Sequence, residues 1–171
     1  MKLVILNGST CSGKSTILKN IMKQQDNFFQ LSYDSVKWLF SGYQASKHYQ
    51  DVVNVLLAVT STVLKMKYNI VTDSVLFNEY RQQLVALAKE VGCDILEINL
   101  EADFEVLATR FDERVTSALA NPNSRISNTS KDRFKELFDI FNQEKNPEAI
   151  TFRTDNQSVE EVTSSIMKLL V

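Results

Sequence analysis

The chain has 171 residues, 44% of them hydrophobic and 23% charged, with 19 Lys and Arg against 21 Asp and Glu for a net charge of -2. That is the length of one domain, here residues 1–171, with an ordinary globular core. It excludes a disordered or collagen-like chain, and the charge balance disfavours a long nucleic acid as partner. No run of residues is apolar and long enough for a transmembrane helix, and the opening MKLVILNGST lacks the longer apolar run of a secretory leader. The two cysteines, Cys11 and Cys93, are far apart and without metal-ligand spacing. A cytoplasmic protein that acts away from membranes is the expectation. The sole histidine, His48, reads as a surface residue.

Lys2 to Asn7 is a short apolar run without alternation, as in a strand buried on both faces. Ile17, Leu18, Ile21 and Met22 then recur at helical spacing from Lys14 onward. Phe28 to Ser32 is a second strand, and Asp34 is placed to cap a short helix through Val36, Leu39 and Phe40 that ends at Gly42. Tyr49 to Tyr68 predicts a long helix, and Asn69 to Asp73 a third strand. A helix from Asn78 to Val91 should stop at Gly92. Asp94 to Leu100 is a fourth strand, followed by a helix over Asp103 to Leu119. Asn121 to Asn128 is polar and contains Pro122, so it reads as a flap within a lid region around 116–130. Ser130 to Glu144 is helical, Ala149 to Thr154 is a fifth strand, and Ser158 with Glu161 forms a capping box for a last helix to Leu170. Strands alternating with helices predict an α/β fold, with a five-stranded parallel sheet covered by helices on both faces.

Residues 8–15, GSTCSGKS, match the phosphate-loop (Walker A) pattern G-x-x-x-x-G-K-[ST]. Gly8 and Gly13 let the backbone turn tightly and point its N–H groups inward at phosphate oxygens. Ser9, Thr10, Cys11, Ser12 and Thr16 complete the cradle, Lys14 sets a charge on the β- and γ-phosphates, and Ser15 offers a hydroxyl to Mg²⁺. At Cys11 the plainer reading is a small side chain that fits the loop. A motor ATPase commonly pairs Asp with Glu after an apolar strand, but here Asp73 is followed by Ser74. A GTPase needs N-K-x-D, and the nearest string, residues 128–132, has the wrong spacing. The size and the missing motifs favour a small kinase.

The loop ILNGSTCSGKST, the YDS after the second strand, the VTDS after the third and the paired arginines of TRFDER resemble the small P-loop kinases. Within them the chain is most similar to the chloramphenicol phosphotransferase-like proteins, with the polynucleotide 5′-hydroxyl kinases a close second. The resemblance implies a three-layer P-loop NTPase fold with a short lid, ATP and Mg²⁺ as cofactors, and phosphoryl transfer to a small-molecule hydroxyl. It makes Asp34 the general base that takes the acceptor's proton. It takes Arg110 and Arg114, four apart on one helix face, to the transferring phosphates or to the adenine, where the alternative is salt bridging with Glu105, Asp112 and Glu113. Lys37, one turn beyond Asp34, orients the acceptor or is solvated; the polynucleotide kinases carry arginine there. Asp73, at the end of the third strand, holds a magnesium-bound water or clamps the substrate.

Arg125, in the flap, reads more simply as a solvated loop residue than as an arginine that swings in on closure. The turn Thr154-Asp155-Asn156 sits where kinases of this fold meet the adenine, though a well-capped turn would look the same. Trp38, Leu39 and Phe40 read more simply as core packing than as an acceptor pocket, and Phe28 and Phe29 as core or strand-edge residues. The rival readings are a polynucleotide or nucleotide kinase, and a nucleotide-binding regulatory protein without catalysis.

Overall fold

The computed structural model describes residues 1–73, 78–121 and 130–170. The apolar run at the start of the chain forms β1 (Lys2–Gly8) in the middle of a five-stranded sheet of order β2-β3-β1-β4-β5. Its neighbours are β3 (Asn69–Thr72) and β4 (Asp94–Glu101), and the edges are β2 (Phe28–Leu31) and β5 (Ile150–Arg153). Every pairing is parallel. Parallel strands need crossovers, and the crossovers cover both faces, which is why β1 tolerates no polar alternation.

The side-chain period of two divides β1 between two cores. Leu3 and Ile5 pack with Val52, Leu56 and Leu64 of α3 (Ala45–Lys65) and with Leu84 of α4 (Asn78–Glu90). Val4 and Leu6 pack on the other face with Ile17, Leu18 and Ile21 of α1 (Lys14–Gln24) and with Val162 and Ile166 of α7 (Val159–Leu169). A third cluster joins Leu107 and Phe111 of α5 (Phe104–Leu119) to Phe134 of α6 (Lys131–Glu144), with the Phe111 and Phe134 rings stacked at 4.7 Å. From β1 the chain runs through α1 on one face to β2, and from β3 it crosses through α4 on the other face to β4, so the direction of winding reverses at β1. That reversal opens a crevice at the carboxyl end of β1.

Two helix boundaries differ from the sequence expectation. The helix after β2 is α2 (Tyr33–Lys37), with Ser32 at its N-cap position, and it stops well before Gly42. Trp38 follows as its C-cap, and Trp38 and Leu39 are 41% and 80% exposed. They are not core. The long helix starts at Ala45 rather than Tyr49. Its first turn, Ala45 to His48, carries no apolar periodicity to announce it, and it is closed instead by His48 Nδ1 accepting the Gln44 N–H at 2.9 Å. His48 is exposed, as expected.

The helix α4 ends as predicted. Gly92 takes φ 65° and donates to Lys89 O at 3.0 Å, while Cys93 donates to Ala88 O at 2.9 Å. Paired bonds of this kind satisfy the last carbonyls through a left-handed residue. A Cβ on Gly92 would meet nothing within 4 Å, so only backbone strain opposes one. Gly92→Ala should therefore lower unfolding free energy by about 1–2 kcal/mol in urea denaturation, with the slope unchanged.

Candidate functional site

The crevice is filled by the loop from Gly8 to Gly13. Gly8 passes so close to β4 that a Cβ there would lie 2.6 Å from Leu100 O and would also strike Ser12 Oγ. Cys11 and Gly13 take φ 67° and 94°, the left-handed turns that bring the chain round into α1. Ser9 and Ser12 are buried. Lys14 opens the helix and folds back on the loop, donating to Gly8 O and Ser9 O at 2.7 Å each. The loop shields this ammonium from water, and that desolvation pulls its pKa down to about 8, against the raising influence of Asp73, Cys11 and Asp34. The guanidinium of Arg114 acts on it in the lowering direction. Asp73, Asp34 and Arg114 are thus all within electrostatic reach of Lys14.

Ser15 Oγ, from α1, donates to Asp73 Oδ2, from the end of β3, at 2.7 Å. Asp73 is 9% exposed, and its Oδ1 is buried without a hydrogen-bond partner among the described residues. An ionised oxygen left without a donor is costly unless something else neutralises it. Asp34 does not cap its helix. It lies in the first turn of α2 and accepts from Lys37 Nζ at 2.5 Å. The lysine side chain of this pair is 7% exposed and the carboxylate 57%, so Asp34 is held from below and presented to solvent. Lys37 Nζ also sits 4.9 Å from the Trp38 ring centroid.

Arg110 of α5 is anchored on the turn after β5. Arg110 donates from Nη2 to Thr154 O at 2.5 Å and from Nη1 to Thr154 Oγ1 at 3.2 Å, and makes no ion pair with Glu105 or Glu113. Asp112 pairs with Lys131 instead, at 2.8 Å. Arg110 thereby borders a cleft of about 280 Å³ with Cys11, Gly13, Thr16, Thr154 and Gln157. Within the expected turn, Asp155 faces elsewhere: it accepts from Arg153 and from the Asp103 N–H, and Arg153 holds its carboxyl down to about 2. Gln157 is a cleft residue that the sequence reading passed over. The available signal was its place between the fifth strand and the capping box of α7.

Arg125 and residues 122–129 of the expected lid lie outside the described residues. Thr10 and Thr16 keep their places in and beside the loop, with Thr16 on the cleft. Both cysteines are free thiols. Among the described residues no group of three His, Cys, Asp or Glu is gathered as a metal cluster, and no helix is long and apolar enough to cross a membrane.

The fold recurs among solved structures. A candidate kinase from Chloroflexus aurantiacus is 14% identical with a TM-score of 0.72, over 98% of this chain and 97% of that one. The Mycobacterium tuberculosis APS kinase CysC, solved with AMPPNP and APS, is 17% identical with a TM-score of 0.62, over 99% and 96%. A chain of the Pnkp1/Rnl/Hen1 RNA repair complex is 23% identical with a TM-score of 0.66, over 83% of this chain and 44% of that one. At these identities the likeness is one of fold. No curated protein matches by sequence. Residues 3–139 match the model of the AAA domain family AAA_33, which is most of the chain, so the chain belongs to that family and has a P-loop kinase-like fold.

Proposed function

We propose that the chain is an ATP-dependent phosphotransferase that moves the γ-phosphate of ATP to a hydroxyl of a small molecule. The observation that carries this reading is the convergence on Lys14 of one carboxylate tied to Ser15, a second presented by α2, and an arginine from α5. A phosphate loop alone binds nucleotide. A solvent-facing carboxylate across from it adds a place for an acceptor.

Residues 8–16 hold the nucleotide, with loop N–H groups and the α1 N-terminus on the phosphates. Ser15 and Asp73 are the hard oxygen donors for Mg²⁺, and Asp73 Oδ1, without a hydrogen-bond partner among the described residues, fits that use better than the substrate clamp. The ion supplies charge neutralisation on the phosphates. The acceptor's O–H proton passes to the Asp34 carboxylate as its oxygen bonds to the γ-phosphorus. The bond from that phosphorus to the bridging oxygen breaks, leaving ADP. Lys37 is the positioning residue that fixes Asp34, and Arg114 neutralises charge developing on the transferring group. Arg110 belongs to the cleft rather than to the phosphates. The chain is read as a single domain that works in the cytoplasm.

The acceptor we favour is of the chloramphenicol phosphotransferase-like kind, a small molecule. An oligonucleotide end is the second reading. It is favoured by the half-exposed Trp38 beside Lys37, a face on which a base can stack, and opposed by the net charge of -2.

Asp34→Asn should reduce turnover on the accepted substrate about 10²- to 10⁴-fold while leaving ATP affinity nearly unchanged. Equal turnover in the two proteins contradicts the assigned base. The Lys14 ammonium sets a pH dependence. It is charged below about 8 in the free protein, and bound phosphate favours the charged form. ATP affinity should then be full below that pH and weaken as pH rises through it, by at most roughly tenfold per unit. Calorimetry across pH 7 to about 9.5 checks this, and Lys14→Met should flatten the profile.

A further inference from the structure

The cleft beside the loop is built of more than phosphate binding requires. Its floor is apolar, from Ile17 of α1 and Val159 and Val162 of α7. Arg110 stands at its rim with its guanidinium pinned by two bonds to Thr154. A planar cation held in one orientation beside an apolar floor suits a flat aromatic ring. Of the polar groups next along the chain, Asn156 is exposed and does not line the cleft, and the others are committed elsewhere. Asp155 is bound to Arg153 and to Asp103, and Ser158 is spent on the capping box with Glu161. Gln157 lies between them, half-buried on the cleft, and its carboxamide makes no hydrogen bond to any described residue.

We propose that Gln157 reads the edge of the nucleobase and selects adenine over guanine. The inference rests on the nucleotide reading above and goes beyond it in naming the residue that discriminates the base. A carboxamide sets one acceptor beside donors. Adenine offers the complement, its N6 amino donor beside the N7 acceptor. Guanine sets two acceptors, O6 and N7, on the same edge, so the carboxamide oxygen would face an acceptor. Arg110 contributes the stacking face and does not distinguish the bases. Gln157 therefore acts on specificity and stands apart from Lys14, Ser15 and Asp34.

The test is equilibrium binding of ATP, GTP and inorganic tripolyphosphate to the full chain, to Gln157→Ala and to the isosteric Gln157→Glu. The unmodified protein should bind ATP at least about tenfold more tightly than GTP. Gln157→Ala should lose that preference by weakening ATP alone, with tripolyphosphate affinity unchanged, and Gln157→Glu, which loses the donor to N7, should weaken ATP as well. If Gln157→Ala weakens ATP and GTP by the same factor, or neither, the proposal is overturned while nucleotide binding stands. The same holds if the unmodified protein does not distinguish the two bases. If it binds neither nucleotide nor tripolyphosphate, the phosphate-loop reading falls as well.

Discussion

The molecule is organised around one confined cation. Lys14 turns its ammonium onto Gly8 O and Ser9 O at the carboxyl end of the central strand, half-buried by the loop. A charge kept there without an anion is held at a cost, visible in its lowered pKa. The sheet order makes the position possible, because chain reversal about β1 opens a crevice at its carboxyl end. The two cores behind β1 make it rigid: Leu3 and Ile5 lock one face, Val4 and Leu6 the other. A loop so anchored cannot relax to relieve its lysine, and it stays complementary to something that carries negative charge.

From that cation the site divides into two sides. On one, Arg110, Thr154 and Gln157 border an apolar-floored cleft suited to a ring. On the other, Asp34 stands on a nearly buried Lys37 and faces solvent. Asp73 lies between, bonded to Ser15 and with one oxygen still without a donor among the described residues. We read this as nucleoside, metal-bearing phosphates and acceptor laid in a line. Arg110 and Arg114 share a helix face, but Arg110 is bonded to Thr154 on the cleft while Arg114 acts electrostatically on Lys14, a difference that helical spacing alone cannot show.

The fold was largely readable from the chain because its signals are local. Apolar runs without alternation named the buried strands, and Gly92 and the Ser158–Glu161 box marked helix ends. The phosphate loop was readable for the same reason, since it is one contiguous string. The failures have a common cause. Asp34 looked like a cap because an acidic residue before an apolar stretch is ambiguous between the cap and the first turn, and Ser32 took the cap position. Trp38 and Leu39 looked like core because their hydrophobicity says nothing of a helix that stops one residue earlier. Gln157 carries no motif, only its place between β5 and the capping box of α7. Its place on the cleft arises only when β5 and α7 fold beside α1, and long-range juxtaposition leaves no mark in neighbouring residues.

The central claim is that phosphate is transferred and not merely bound or hydrolysed. The direct measurement is incubation with γ-³²P-labelled ATP, Mg²⁺ and a panel of hydroxyl compounds that includes oligonucleotides, following label and ADP together. The account predicts label in one small-molecule acceptor, with ADP released in equal amount and only when that acceptor is present. ADP release that no acceptor increases, or tight nucleotide binding with no turnover, would contradict it and leave a nucleotide-binding regulatory protein.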